Sequence, residues 1–197
     1  MFARTERLLL RPSWAEDASE IYATIADERI VRNLSRAPWP YALKDAQEFV
    51  AREAHIHFPN FMLMQRTDGA PRLVGTCGLG EHEDGVELGY WIAQPFWGLG
   101  YATEAARAVV GIARALGHSK LVGRHFIDNP ASGRVLRKTG FRATGRVEML
   151  QSRGRTEPAP CAIYEQDLDG ETEGGVVAKA MPPFMPTIRT IMAAQAA

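Results

Sequence analysis

The chain has 197 residues, 23 basic and 23 acidic, and a formal net charge of zero. Apolar residues make up 46% and charged residues 23%, which supports one packed core and excludes wholesale disorder, a coiled coil, or a grip on nucleic acid or anionic membrane by bulk charge. Two cysteines, Cys77 and Cys161, are too few for a disulfide framework or a four-cysteine metal site.

No apolar run approaches the roughly 18 residues of a membrane span, and Leu8-Leu9-Leu10 is too short for a signal-peptide core. The expected location is cytoplasmic. In chain order, Leu8 to Leu10 is the first strand, ended by Arg11-Pro12. Ser13-Trp14-Ala15-Glu16 reads as a capping box, opening a helix with Trp14, Ala18, Ile21, Tyr22 and Ile25 on one face. Pro38-Trp39-Pro40-Tyr41 is a proline-rich aromatic stretch. Ala42, Ala46, Phe49, Val50, Glu53 and Ala54 suggest a second helix. Strands follow at Phe61 to Gln65, Leu73 to Leu79 and Val86 to Ala93, joined by turns, as an antiparallel meander.

Gly98-Leu99-Gly100 then opens a helix with Ala105, Val109, Ile112, Ala113 and Leu116 on its apolar face and Gly117 as its stop. Leu121 to Phe126 is a strand. Asn129 caps a short helix, with Pro130 at its first position and Gly140 at its end. Residues 141–150 and 160–168 make the last two strands. The tail begins polar and glycine-rich, and Met181-Pro182-Pro183-Phe184-Met185-Pro186 cannot continue a helix or a central strand. The expected organisation is one domain over residues 1–168 and a Gly/Pro/Met-rich tail over 169–197, extended or partly helical, with a short helix at 188–197.

The most informative segment runs from Glu87 through Gly98-Leu99-Gly100 to Ala105. A strand leads into a Gly-x-Gly turn and a long helix, which exposes backbone N–H groups at the positive end of the helix dipole and so suits phosphate. Glycine lets the backbone approach such a ligand. A P-loop needs Gly-Lys-Ser/Thr, and no lysine follows Gly98-Leu99-Gly100-Tyr101. A Rossmann fingerprint needs a third small residue and an acidic residue about 20 positions on. Thr103 and Ser119-Lys120 stand there instead, and the upstream strands are antiparallel.

Trp97-Gly98-Leu99-Gly100-Tyr101-Ala102-Thr103-Glu104-Ala105, followed by Asn129-Pro130-Ala131-Ser132 and Gly140-Phe141, closely resembles the GNAT acetyltransferase superfamily. Leu8-Leu9-Leu10-Arg11-Pro12 and Pro38-Trp39-Pro40-Tyr41 resemble its branch of ribosomal-protein alanine N-acetyltransferases. The resemblance spans about residues 4–168. It implies an α+β fold with a mixed, strongly bent central sheet flanked by helices and acetyl-CoA between two splayed central strands. It also implies that Trp97, Gly98, Leu99, Gly100, Tyr101, Ala102 and Thr103 hold the CoA diphosphate. The strand edge at Trp91, Ile92 and Ala93 would pair with the pantetheine amides, and Asn129 and Ser132 would line the thiol end.

The amine that attacks a thioester must be neutral. An α-amino group, with a pKa near 8, is roughly a tenth neutral at pH 7, and a lysine is far less so. An α-amine therefore needs only modest help from a base, and the developing oxyanion needs a donor. Glu87 is the candidate base, acting directly or through water, or else a strand glutamate paired with a neighbour. His125 is the alternative base. Many members of the superfamily carry a tyrosine seven residues after the asparagine as proton donor to the thiolate. Here that residue is Leu136, which turns attention to Ser132, itself either the donor or a cap. Pro95 replaces a frequent Gln or Arg, leaving phosphate binding to backbone groups. Trp39 and Tyr41 either wall the acceptor pocket or anchor a loop. Arg134, Arg137 and Lys138 either meet phosphates or form a solvated face. No histidine or cysteine has metal-ligand spacing, so no metal is expected.

The expected function is transfer of acetyl from acetyl-CoA to a primary amine, of a protein N-terminus or a small molecule, by direct attack in a ternary complex. The alternative is a non-catalytic acyl-CoA-binding sensor or assembly module. Neither nucleic acid nor membrane is an expected partner, and a homodimer stays open.

Overall fold

The computed structural model describes residues 1–169. Apart from Asp169, the tail expected over 169–197, with its Met/Pro stretch and helix, lies outside the described residues. Among the described residues eight strands form one sheet: β1 (Ala3–Arg4), β2 (Leu8–Arg11), β3 (Asn60–Gln65), β4 (Arg72–His82), β5 (Gly85–Ile92), β6 (Lys120–Phe126), β7 (Arg142–Leu150) and β8 (Ala159–Asp167). Their order is β1-β2-β3-β4-β5-β6-β8-β7. The helices are α1 (Ala18–Ile25), α2 (Glu28–Val31), α3 (Leu43–Val50), α4 (Tyr101–Ala115) and α5 (Pro130–Lys138). None of the described helices is long and apolar enough to cross a membrane.

The sheet is covered on both faces, so β3 and β4 are apolar almost continuously rather than in alternation. Along β3, Phe61 and Leu63 enter the core under α4, whereas Met62 and Met64 enter the core beneath α1, α2 and α3. Helix α4 contributes Ala105, Val109 and Ala113 to the first core, and α1 contributes Ala18, Ile21 and Ile25 to the second. Helices α4 and α5 end alike. The N–H of Gly117 bonds Arg114 O and that of His118 bonds Ala113 O, and Gly140 and Phe141 bond Arg137 O and Leu136 O in the same way. This is the paired-bond stop expected where a glycine follows a helix.

Local expectations shift in several places. The first capping interaction lies one residue later than Ser13 and Glu16 suggest: Asp17 Oδ2 accepts the N–H of Trp14 at 2.7 Å. Asp17 is buried there by a bidentate pair with Arg11, at 2.7 Å for both bonds, whereas Glu16 faces solvent. Trp14 lies outside α1, with the Arg11 guanidinium 4.0 Å from its ring centre. The second expected helix stops at Val50. Helix α2, four residues long, was too short to show a period, although Asp27 caps it by accepting the Arg29 N–H at 2.9 Å.

One strand junction positions everything that follows. All neighbouring strands are antiparallel except β5 and β6, which run parallel. They share two partner pairs, Val86↔Leu121 and Glu87↔Val122. Beyond Glu87 they part, and Leu88 to Ile92 has no strand partner on its β6 side among the described residues. The mixed sheet opened between central strands is the expected fold.

Candidate active site

The gap between β5 and β6 widens into a cleft of about 660 Å³, lined by both strands and by α1, α2, α3, α4 and α5. Strand geometry decides which backbone groups face it. The Ala93 N–H donates to Val74 O at 2.8 Å, into the β4 ladder. Alternation along an antiparallel pair then turns Trp91, Gly89 and Glu87 toward β4 as well, and Leu88, Tyr90 and Ile92 toward the gap. Of the three residues expected to offer backbone edges, only Ile92 does so, and its carbonyl is taken by the Trp97 indole N–H at 2.6 Å. Trp91 and Ala93 are corrected on this point: the phase of the ladder, invisible in the sequence, turns the Trp91 backbone and the Ala93 N–H toward β4, and the Ala93 carbonyl accepts the Phe96 N–H at 2.9 Å. The Trp91 side chain lies in the core beneath α1, α2 and α3.

At one end of the cleft stands the glycine turn. Gly98 and Gly100 adopt left-handed backbone conformations, φ 76° and 84°, which an L side chain rarely tolerates. After Trp97 N–H to Gln94 O, the next backbone bond is Glu104 N–H to Gly100 O. The N–H groups of residues 98–103 therefore donate to no acceptor among the described residues, and they lead into the N-terminus of α4. A Cβ built on Gly98 would meet nothing within 4 Å, so the turn borders open space. Such a set of donors suits a diphosphate, and the residues present fit coenzyme A.

The connection between β1 and β2 holds this turn in place. Arg7 Nη1 donates to Leu99 O at 2.9 Å and its Nε to Glu104 Oε2 at 2.7 Å. The Arg7 N–H and the Thr5 hydroxyl donate to Glu104 Oε1 at 2.8 and 2.6 Å. Burial alone would raise the Glu104 pKa, but these hydrogen bonds and the Arg7 charge hold it below the usual carboxylate value. The Arg7 guanidinium also lies 4.4 Å from the Tyr101 ring centre.

Farther along the cleft, Asn129 begins α5 without a side-chain capping bond. Its carbonyl accepts the Ser132 N–H at 3.2 Å, so the amide side chain is not spent on the helix as a cap. The Ser132 hydroxyl is not a cap either: it lies 2.8 Å from the Tyr90 hydroxyl. Leu136 is in the core, 1% exposed. Glu87 accepts two bonds from Arg124, Nε to Oε1 and Nη2 to Oε2, both 2.9 Å. Burial would lower the Arg124 pKa, but Glu87 raises it above its ordinary value. His125 sets its ring against α5, where a Cβ on Gly133 would come within 2.5 Å of Nε2. Its Nδ1 lies 2.8 Å from Phe126 O. Burial pushes the Cys161 thiol, also on the cleft wall, up to about 11.

Tyr41 lines the cleft, and burial pushes its hydroxyl up to about 12. Trp39 does not: it faces a neighbouring recess with Arg32, Arg153 and Arg155, and its N–H donates to Arg153 O at 3.4 Å. Arg134 and Lys138 line the cleft, whereas Arg137 bonds the Tyr164 hydroxyl at 2.9 Å. Sequence reasoning missed Arg7, Tyr90 and Arg124. Arg7 and Leu99 are 92 positions apart, and no local pattern marks such a contact. The described residues contain no group of three or more His, Cys, Asp or Glu placed to hold a metal ion.

A family model described as an acetyltransferase (GNAT) domain matches residues 7–142. The uncharacterized N-acetyltransferase YoaA of Bacillus subtilis (strain 168) is 30% identical over 167 residues, 81% of this chain and 93% of that protein. A GNAT-family acetyltransferase from Bacillus anthracis shares the fold with a TM-score of 0.71 at 21% identity, covering 86% of this chain and all of that one. RimL, a ribosomal L7/L12 alpha-N-protein acetyltransferase solved in complex with coenzyme A, also gives 0.71, at 16% identity over 87% of this chain and 100% of its own.

Proposed function

Since the chain belongs to the GNAT family of acetyl-CoA-dependent N-acetyltransferases, we propose that it acetylates a primary amine, that of a protein N-terminus or a small molecule, by direct attack within a ternary complex. The observation that carries this reading is the run of N–H groups at residues 98–103, without acceptors among the described residues, beside the opening between β5 and β6. When bound, acetyl-CoA supplies the acetyl group as a thioester.

In this reading the N–H groups of Gly98, Leu99, Gly100, Tyr101, Ala102 and Thr103 bind the diphosphate with the α4 dipole behind them. Trp97 closes the end of β5 by bonding Ile92 O. The cleft-facing edge at Leu88, Tyr90 and Ile92 takes the pantetheine amides as an added strand would. Asn129 and Ser132 meet the thiol end, and Tyr41 walls the acceptor side. Glu87 keeps lone pairs beyond the two that Arg124 occupies. It uses them to orient a water that takes the proton from the amine. The Cys161 thiol is protonated near neutrality, which favours direct attack over a thioester on the enzyme.

Two measurements test the reading. Gly98→Glu places a side chain in a left-handed position and a negative charge beside the diphosphate. It should abolish saturable acetyl-CoA binding in calorimetry while circular dichroism stays native. A screen of peptides with different first residues and of small amines, read by intact mass, should find an acceptor that gains one acetyl group. Saturable acetyl-CoA binding with no amine-dependent CoA release would instead favour a sensor.

A further inference from the structure

Tyr90, on β5, and Ser132, in the first turn of α5, meet across the cleft. The Tyr90 hydroxyl oxygen is 2.8 Å from Ser132 Oγ and 3.0 Å from the Ser132 carbonyl oxygen. Each side chain carries one hydroxyl proton, so the pair has two arrangements. When Tyr90 donates to the carbonyl, Ser132 Oγ–H points back to the phenol oxygen. When Tyr90 donates to Oγ, the serine proton is released toward the cleft.

We propose that Tyr90 is a positioning residue for Ser132, donating to Oγ so that the serine hydroxyl delivers its own hydrogen bond to the departing sulfur of coenzyme A. The inference rests on the acetyl-CoA reading above and extends it to a residue outside the motifs. As the amine nitrogen bonds to the carbonyl carbon, the carbon–sulfur bond breaks and sulfur keeps the electron pair. The Ser132–Tyr90 pair stabilises that thiolate without giving up a proton. Sulfur takes its proton from solvent, and the amine nitrogen releases one.

The surroundings suit a phenol that stays neutral. Burial pushes the Tyr90 hydroxyl upward in pKa. Cys77, its partner across β4 and β5, is likewise held protonated by burial. The Tyr90 ring packs against the core under α4, so its hydroxyl is held at Ser132. Leu136 has no donor to offer and is enclosed in that same core.

The test uses the full chain and coenzyme A itself, so no acceptor is needed. Calorimetry first measures CoA binding at a pH where the thiol is neutral. Ultraviolet difference absorbance then titrates the bound thiolate. Bound CoA should ionise below free CoA, because a hydrogen bond to the charged form favours it, and Tyr90→Phe should raise that midpoint by about one pH unit. Ser132→Ala should raise it similarly, the double variant no further than either single one, and Ser132→Thr should restore the low value. A merely structural role for Tyr90 would change affinity and leave the midpoint in place. An unmoved midpoint in Tyr90→Phe, or shifts that add in the double variant, would overturn the proposal. Absence of CoA binding by the wild-type chain would instead remove the acetyl-CoA reading beneath it.

Discussion

Glu87 joins two strands and, in the proposed function, also serves the chemistry. Its two bonds to Arg124 cross from β5 to β6 just where the strands stop pairing, so the carboxylate is fixed at the apex of the cleft. Glu87→Gln keeps the shape, removes the charge and leaves Arg124 without its carboxylate. In the proposed role, turnover should fall about a hundredfold, with the larger loss for more basic amines, measured as kcat across acceptors of graded pKa. A loss that is flat across that series would assign Glu87 to structure alone. The residues legible in the sequence are those whose role is local. Gly98 and Gly100 announce themselves because a turn into a helix constrains them both. Tyr90, Arg124 and Arg7 were not legible as site residues, because their partners Ser132, Glu87 and Leu99 lie 42, 37 and 92 positions away.

Elements differ in the same way. The ends of α4 and α5 were readable because a glycine follows each helix where two carbonyls need partners. The four residues of α2 carry too little pattern to reveal a helix, and the β4–β5 phase that turns the Trp91 backbone and the Ala93 N–H away from the cleft depends on pairing rather than composition. The entry to α1 was misplaced by one residue because the deciding partner is Arg11, on β2. Both side chains of the Arg11–Asp17 pair are at most 9% exposed. Burial raises the Asp17 pKa, but bonds from Arg11 and the Trp14 N–H outweigh it and the net shift is downward from 3.8. A carboxyl with a lowered folded-state pKa stabilises the fold fully above its unfolded value and loses that contribution as pH falls through the folded one. Asp17→Asn should therefore cost about 3 kcal/mol near neutrality, as expected when a buried pair loses one partner. The difference from wild type should shrink below pH 3.8, as read by urea denaturation at a series of pH values.

At the scale of the molecule, the parallel junction of β5 and β6 is both the opening proposed to take acetyl-CoA and, with the β1–β2 edge, one of the two most thinly paired seams among the described strands. Two partner pairs join them, whereas β6 and β8 share seven. The parts of α1, α2, α3, α4 and α5 that line the opening all lie within residues 1–169. Among the described residues β8 is the last strand in the chain, and just after it the Leu168 N–H donates to Ser119 O at 2.7 Å. A ligand that adds backbone-like bonds along Leu88 to Ile92 stabilises the native state by mass action, about 2.7 kcal/mol at a hundredfold excess over Kd. For a domain of this size that raises Tm by roughly 5–10 °C. A chain cut after Asp169 should fold cooperatively and show the same rise with acetyl-CoA as the full chain, whereas Gly98→Glu should show none in either form. If the cut chain folds but its Tm no longer responds to acetyl-CoA, the domain does not end with β8 and residues 170–197 belong to the binding unit.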